Sequence, residues 1–502
     1  MLEDIDVLDL KIARHDKHRF ETKLDIITEV DRKTAYKVET YFFIPKGLNI
    51  NFQTYKKGDF YNNIQNNIRF KTPVMSVKNL IDPDYELSPF NEIDKLLLDG
   101  QSASNDANLI YEIKMLGCIL RGFLRDNTYI FLKKITAAKK GEIGELEKKC
   151  LRFVEDLEIV INKTRKLSEK ILTLKLSDEL KQAFSFFDEF FNLNLAEYLS
   201  LSLKKMREEN IFPTAEKEIS KIIRAQNIYR RQRGYKTLAN PANTNEGLIY
   251  RRSILKKFIS SALFLNIKTI EFEPVAQVFL GFAAAIAMLF TVLVLLAAQT
   301  KYAVNSVPFV AVLVVSYIFK DRIKDWLKLW LTKSWTKWIY DRKTKIYHSD
   351  PKNYIGIIKE AFSFVIKKKI SKEVLGYRNI ENLSSVYEHG KPESVVKYEK
   401  EVILNPKRFK IKDVRKKNIT DIMRFNILAF LTHADDAKTS YLYYDDEIGK
   451  LNSADCLRTY HINAITGYTS YNKKRKQVSY ERIRLVLTRE GILRLEEVSL
   501  KK

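Results

Sequence analysis

The longest uncharged stretch of the chain places the strongest constraint on its fold. From Pro274 to Ala298 there is no charged residue. As a helix rising about 1.5 Å per residue, this stretch exceeds the roughly 30 Å apolar core of a bilayer. A second uncharged run, from Tyr302 to Phe319, is just long enough to cross back. The sequence therefore predicts a transmembrane helical hairpin over residues 274–319.

Positive charges on both sides of this predicted hairpin indicate its orientation, since short flanking segments rich in Lys and Arg stay in the cytoplasm. The connecting loop offers only Lys301, whereas basic residues flank both outer ends: Arg251, Arg252, Lys256, Lys257 and Lys268 before, and Lys320, Arg322, Lys324 and Lys328 after. We therefore predict an integral membrane protein with two spans and both termini cytoplasmic. The predicted spans lack the ionisable residues that mark ion pathways, which argues against a transporter.

One face of the first predicted span carries small side chains, which allow close approach of another helix. These residues are Gly281, Ala283, Ala284, Ala285 and Ala287. The second span and a second copy of the chain are both possible partners for this face.

The remainder of the chain predicts an α+β protein in which a largely helical N-terminal cytoplasmic part precedes the membrane hairpin. The predicted regions are a small α+β region with a β-hairpin (1–100), a helical domain with a coiled-coil-like antiparallel hairpin (101–265), the transmembrane hairpin (274–319), a juxtamembrane amphipathic helix with a further helix (320–390), and a C-terminal α+β domain with an antiparallel sheet (391–502).

Regular apolar spacing defines the helical domain. From Ile143 to Leu174 apolar residues recur alternately three and four positions apart, which is typical of a coiled-coil seam. Ser177, with two acidic residues after it, is a typical cap for the next helix. A short connection favours antiparallel neighbours within one chain, and an intermolecular coiled coil is the alternative.

Two further helices are predicted after the membrane hairpin. Asp350 and Pro351 form a suitable start for a helix through Ile370, and Thr420 can cap another through about Leu431. The segments around them have the β-branched and aromatic composition of strands, which predicts the antiparallel sheet.

The net charge of +25 is unevenly distributed, which bears on possible partners. Residues 1–200 hold 31 basic and 32 acidic residues, and the rest of the chain holds 56 and 30. Because the excess lies near the predicted spans, we expect it to contact anionic lipid, with nucleic acid as the second possibility. The predicted contacts are Arg230, Arg231, Arg233, Arg251, Arg252, Lys324, Lys328, Lys333, Lys337, Lys473, Lys474, Arg475 and Lys476, with Trp326, Trp330, Trp335 and Trp338 at the membrane interface.

Histidines and carboxylates near the C-terminus are the candidate metal or ligand residues. They are His433, Asp435, Asp436 and His461, residue types that can hold a divalent ion for phosphoester hydrolysis. Their spacing matches no established motif, and Asp-rich segments are also ordinary turns. We therefore expect these side chains not to converge on a metal. The three cysteines are widely spaced, so the sequence predicts neither a disulfide framework nor a zinc site.

These features predict a membrane-anchored binding or scaffold protein rather than an enzyme, with no cofactor indicated. Its expected partners are the anionic inner leaflet and either another protein, bound through the helical region, or a second copy. A metal-dependent phosphoester hydrolase in the C-terminal domain and an oligomerising membrane effector are the alternatives.

Overall fold

The computed structural model describes residues 8–27, 33–98, 103–137, 143–239, 244–271, 273–304, 306–335, 340–347, 354–380, 393–405, 415, 418–472 and 475–500. The chain divides into two compact units. Unit 1 comprises Met1–Ile68, Leu265–Lys410 and Thr420–Lys502, and unit 2 comprises Arg69–Phe264 and Ile411–Ile419.

The α-helices of the described residues are, in chain order, α1 (Lys57–Asn63), α2 (Val77–Ile81), α3 (Pro89–Leu98), α4 (Ala103–Ala137), α5 (Ile143–Thr173), α6 (Asp178–Glu209), α7 (Pro213–Gln232), α8 (Glu246–Ser260), α9 (Glu273–Gln299), α10 (Val307–Trp335) and α11 (Lys372–Asn379). The strands are β1 (Leu8–Arg14), β2 (Arg19–Ile27), β3 (Thr34–Pro45), β4 (Ile64–Phe70), β5 (Asn266–Glu271), β6 (Arg342–Tyr347), β7 (Tyr354–Phe364), β8 (Glu393–Leu404), β9 (Asn418–Asn426), β10 (Lys438–Asp445), β11 (Lys450–Leu457), β12 (Tyr460–Asn472), β13 (Arg475–Thr488) and β14 (Gly491–Val498).

Unit 2 is a helical bundle around α6. The Ser177 hydroxyl accepts a hydrogen bond from the Leu180 backbone N–H at 3.4 Å, which caps α6 as its sequence predicts. Helix α5 buries the regularly spaced Leu146, Leu157 and Ile171, among others. It packs against α4, α6 and α7, while α6 also packs against α4, α7 and α8. The predicted two-helix coiled coil is therefore not confirmed.

Two β-sheets enclose the core of unit 1. The larger sheet has eight antiparallel strands in the order β14-β13-β12-β3-β8-β7-β6-β5, and the smaller has the order β1-β2-β9-β4. Both sheets contribute aromatic side chains to one core. Phe42 of β3 stacks on Phe425 of β9 with ring centroids 5.5 Å apart, and the ring centroids of Phe60 and Phe362 of β7 are 4.5 Å apart.

The outer face of the larger sheet carries a ladder of charged side chains. Lys37 and Lys397 lie 2.9 Å and 2.8 Å from the Glu399 carboxylate, and Lys397 also pairs with Glu39 at 2.9 Å. Burial raises the pKa of Glu399, but hydrogen bonds from Lys397 and Lys37 outweigh this effect and lower it from 4.5 to about 2. The ionised form is therefore favoured by folding.

Acid is expected to destabilise unit 1 through Glu399. Because the pKa of Glu399 is lower in the folded state, its contribution is complete above about pH 4.5 and is lost as the pH falls towards 2. Allowing for partial exposure, we expect about 1 kcal/mol of pH-dependent stability, measurable by urea unfolding at a series of pH values. A Glu399→Gln variant should lack this component. An identical pH profile for the variant and the unaltered chain would contradict the assignment.

Two predicted helices are strands in the structure. The region from Asp350 to Ile370 contains β7, and the helix predicted from Thr420 to Leu431 is replaced by β9 and a short 3-10 turn; Asp350 itself lies outside the described residues. In β7, Ile358, Glu360 and Phe362 are buried and alternate with less buried neighbours, the period of a strand. The apolar positions also fit a helix, and pairing with β6 and β8 decides the outcome.

The prediction of a transmembrane hairpin with two spans is wrong. Within the described residues one helix, Gly281–Gln299 of α9, is long and apolar enough to cross a membrane by length and composition. Helix α10 begins only at Val307, and charges begin at Lys320. Its uncharged part therefore extends roughly 20 Å, short of the roughly 30 Å apolar core. The fold is α+β with an antiparallel sheet, but two membrane crossings are not supported.

Candidate membrane-contact surface

Helix α9 exposes an unusually apolar surface. Only 17% of its Gly281–Gln299 segment is buried, whereas the apolar core helix of a water-soluble protein would be mostly covered. Its exposed apolar side chains are Phe282, Ile286, Met288, Leu289, Phe290, Val292, Leu293 and Leu296. Ala283 and Ala287, two of the small residues noted in the sequence, are each 1% exposed and lie one turn apart. These two alanines are thus packed, whereas Gly281, Ala284 and Ala285 are exposed together with the large apolar side chains.

The first half of α10 extends the same kind of surface. Helix α10 packs against α9, and an apolar groove of about 360 Å³ lies between Phe290 and Val294 of α9 and Val312 and Val315 of α10. The exposed apolar residues of this half of α10 include Val310, Leu313, Val314, Val315, Tyr317, Ile318 and Phe319. We define the exposed apolar residues of α9 and of the first half of α10 as the apolar surface.

Charge begins where the apolar surface ends. The Lys320 Nζ lies 3.7 Å from the centroid of the Tyr317 ring. The exposed residues after it include Lys324, Lys328 and Trp326, all among the predicted lipid contacts. They belong to α10 itself, so the amphipathic helix predicted after the spans is a continuation of this helix. The amphipathic order, apolar residues followed by Lys and an exposed Trp, is typical of a membrane interface.

The remaining predicted membrane contacts of this region are only partly described. Lys333, Trp330 and Trp335 lie within α10, but the structure describes their backbone alone, and Lys337 and Trp338 lie outside the described residues. Of the predicted basic hairpin tip, Lys473 and Lys474 are likewise outside them, whereas Arg475 and Lys476 begin β13.

The basic residues before α9 are largely bonded within unit 2. Arg230 is 6% exposed and donates to the Thr237 carbonyl at 2.9 Å. Other predicted lipid contacts bond within the same unit: Arg233 with Tyr229 and Ser168, Arg251 with Glu189, and Arg252 with Glu197. Arg231 is exposed. The basic composition of this segment therefore predicted more lipid-contacting residues than the structure leaves available.

The candidate metal residues are exposed: His433, Asp435 and Asp436 lie in the segment before β10, and His461 lies in β12. Asp435 accepts a hydrogen bond from the Tyr460 hydroxyl at 2.9 Å and lies 3.7 Å from Arg458. Asp436 pairs with Arg489, and the His461 Nε2 lies 3.5 Å from the Thr459 hydroxyl. His433 is exposed beside them in sequence. Within the described ranges, no three His, Cys, Asp or Glu side chains are grouped so that they could hold a metal.

A buried polar cluster between the two sheets was missed by the sequence analysis. The Lys400 Nζ donates to the Asp421 Oδ1 at 2.6 Å and to the Asn66 Oδ1 at 3.1 Å, and both charged residues are at most 5% exposed. The Tyr36 hydroxyl donates to the other Asp421 oxygen at 3.0 Å. Burial, together with the nearby Asp421 carboxylate, raises the pKa of Tyr36 well above its ordinary value.

The same cluster continues to Glu360. Its Oε1 accepts from Asn66 at 2.6 Å and from the Tyr398 hydroxyl at 2.5 Å. A cavity of about 20 Å³ lies beside Lys400 and Asp421, which is space for about one water molecule. The cluster has no room for a substrate, so its chemistry is structural: it joins strands of both sheets through satisfied buried charges.

A signal for this cluster was present in the sequence. Val396, Tyr398, Lys400, Val402 and Leu404 alternate along β8, and all five are buried. An inward-facing series with period two thus includes one lysine, which requires an anionic partner. No local pattern identifies Asp421 as that partner.

Comparisons with known proteins add no relatives: no protein-family model, curated protein or solved structure matches this chain.

Proposed function

We propose that this chain is a membrane-associated binding protein that is held at a bilayer by the apolar surface. The observation that carries the proposal is the 17% burial of the Gly281–Gln299 segment, the one described helix with the length and composition for crossing a membrane. Exposed apolar patches larger than a few hundred Å² are rare on water-soluble monomers and mark interaction sites. Such a helix can be surrounded by lipid, because its backbone N–H and C=O groups are hydrogen-bonded within the helix.

The charge that follows the apolar surface supports lipid rather than an apolar protein groove as the partner. Lys320, Lys324 and Lys328 follow Phe319 closely, and long basic side chains can extend from the apolar layer to the phosphate region. Anionic lipid is therefore the proposed bilayer component. The hydrolase alternative gains no support from the described residues, because Asp435 and Asp436 pair with arginines there.

Lysine substitutions on α9 are expected to release the chain from membranes. Leu289 and Leu293 are 61% and 58% exposed one turn apart, and a charged residue costs about 2.5 to 3.5 kcal/mol at the centre of a membrane helix. The unaltered full chain should sediment with membranes, resist extraction at high pH and enter detergent. The Leu289→Lys/Leu293→Lys variant should move largely to the soluble fraction.

Leu172→Lys/Ile228→Lys is the matched control, since these residues of unit 2 are 55% and 56% exposed. It adds the same charge and should remain with the membrane fraction. Flotation with anionic and neutral vesicles tests the electrostatic component, and binding should be stronger to anionic vesicles and weaken as salt rises. A full chain that stays dispersed in water without detergent, or equal fractionation of both variants, would refute the proposal.

A further inference from the structure

The charges on the outer face of the larger sheet change in balance between its middle and the β5 edge. In the middle, basic and acidic side chains pair, and Lys359 of β7 still pairs with Glu401 of β8 at 3.1 Å. Strands β6 and β5 follow beyond β7, and their register places Lys343, Lys345 and Lys268 on this same face. The other outward positions of these two strands are uncharged, namely Asn266, Ile270 and Tyr347. The β5 edge of this face is therefore basic.

We call Lys268, Lys343 and Lys345 the lysine patch. Lys345 lies directly opposite Lys268, and Lys343 lies directly opposite Lys359. Like charges directly opposite each other destabilise a sheet. Among the described residues no carboxylate pairs with the patch, and its described contact is the Tyr354 ring, whose centroid is 5.4 Å from the Lys345 Nζ. The described part of the fold thus leaves these charges for an anion from outside.

The lysine patch lies where the apolar helices join the sheet. Strand β5 ends at Glu271 and α9 begins at Glu273, while β6 is the first strand after α10. Because Glu271 lies opposite Arg342, both connections leave from the same end of the paired strands. Lys268 is about 10 Å along β5 from Glu271. Phosphates beside the start of α9 then lie within roughly one screening length of the patch at physiological salt.

An exposed apolar side chain lies within the patch. Ile270 is 42% exposed, directly opposite Lys343 and on the same face as Lys268. Such a side chain and the apolar stems of the lysines can lie along the edge of the apolar layer while the ammonium groups reach phosphate. This mixture, and the direct connection of the sheet to α9, favour an anionic bilayer over nucleic acid as the partner.

We propose that the lysine patch is a second bilayer-contact surface, which binds the phosphate groups of anionic lipids and holds the β5 edge of the larger sheet at the headgroup layer. The proposal rests on the membrane association proposed above, since that association brings the bilayer to the patch. It adds a contact separate from the lysines of α10.

Removal of the patch charges is expected to reduce the preference for anionic lipid without releasing the chain from neutral lipid. The test variant is Lys268→Gln/Lys343→Gln/Lys345→Gln in the full chain. Flotation would be measured with vesicles of phosphatidylcholine alone and with vesicles that also contain phosphatidylserine. A basic residue at an anionic surface strengthens binding about fivefold, so the ratio of the two affinities should fall at least about tenfold. The lysines of α10 should maintain a smaller preference.

Lys17→Gln/Lys221→Gln/Lys438→Gln is the matched control, because it removes the same charge at exposed lysines that each have a carboxylate partner. It should keep the affinity ratio of the unaltered chain. Urea unfolding without lipid is the second measurement. The patch variant should be at least as stable as the unaltered chain, because the facing lysines no longer repel each other. A loss of stability would show that the patch is paired within the fold and would overturn the proposal.

The vesicle results separate this inference from the proposed function. A full chain that binds neither kind of vesicle overturns both. Normal binding of both triple variants to neutral vesicles, with the same anionic preference, overturns the lysine patch alone. If the patch variant instead loses affinity for a single-stranded oligonucleotide while its vesicle preference is unchanged, the patch binds nucleic acid and the proposal is wrong.

Discussion

Replacement of Lys400 by methionine is expected to destabilise unit 1 by about 3 to 5 kcal/mol, the range found when one partner of a buried ion pair is removed. Lys400 and Asp421 are 2% and 5% exposed and their charged atoms are 2.6 Å apart. Methionine has nearly the same volume as the apolar stem of lysine. In the variant the Tyr36 hydroxyl is the remaining described donor in the cluster to the Asp421 carboxylate. Asn66 also loses the donor that now bonds its carbonyl oxygen at 3.1 Å.

Hydrogen exchange followed by mass spectrometry measures this effect locally, since β8 and β9 should exchange faster in the Lys400→Met variant. A second variant, Lys400→Met/Asp421→Leu, removes both charges and should recover much of the loss, because an apolar pair of similar volume often replaces a buried ion pair at little cost. Lys438→Met is the exposed control, since the pair that Lys438 makes with Asp455 is 3.5 Å long and at the surface. Equal destabilisation by the Lys400 and Lys438 variants would show that the cluster does not stabilise the two sheets of unit 1.

This cluster shows where sequence reasoning reaches its limit. The alternation along β8 indicates which side chains face inward, because a period of two is a local property of the strand. The partner of Lys400 is set by tertiary structure instead. The Tyr36–Asp421 contact joins residues 385 positions apart, and no spacing rule connects them.

The helices α5 and α6 were predictable because their signals are local. Apolar residues three and four positions apart and a Ser cap fix the helix type and its start. The same spacing at Ile355, Ile358 and Phe362 gave a wrong helix, since pairing of β7 with its neighbours overrides propensity.

Helices α9 and α10 show a different limit. The length of an uncharged run sets the maximum length of an apolar helix, but the helix itself can begin several residues after the run begins. In α10 the start at Val307 shortens the uncharged helical part below one crossing. Likewise, Arg230 is basic in sequence and yet buried in the bundle, because helix packing rather than local charge determines which face is exposed.

Replacement of Asp188 by leucine is expected to have a comparably large effect in unit 2. Asp188 lies on α6, is 1% exposed, and its carboxylate accepts hydrogen bonds from Arg165 at 2.8 Å, Tyr229 at 2.9 Å and Tyr235 at 2.6 Å. Burial and the Asp188 charge raise the pKa of both tyrosines, so each hydroxyl remains a donor at neutral pH. One carboxylate therefore holds α5, α7 and the segment after α7 against α6.

Leucine fills a similar volume but leaves Arg165 with a positive charge and only the neutral oxygens of Asn192 and Gln226, at 2.7 Å and 2.6 Å, as described acceptors. We expect a loss of about 3 to 5 kcal/mol, because the Arg165 charge loses its carboxylate partner and the Tyr229 and Tyr235 hydroxyls both lose the acceptor of their hydrogen bonds. Asp188→Asn should cost less, since its carbonyl oxygen still accepts one of these bonds. Glu197→Leu on the same helix is the matched control, because its pair with Arg252 is about 40% exposed and should change stability by at most about 1 kcal/mol. Thermal and urea unfolding of the three variants, with hydrogen exchange in α5 and α7 as the local readout, would reject this role if Asp188→Leu behaved like Glu197→Leu.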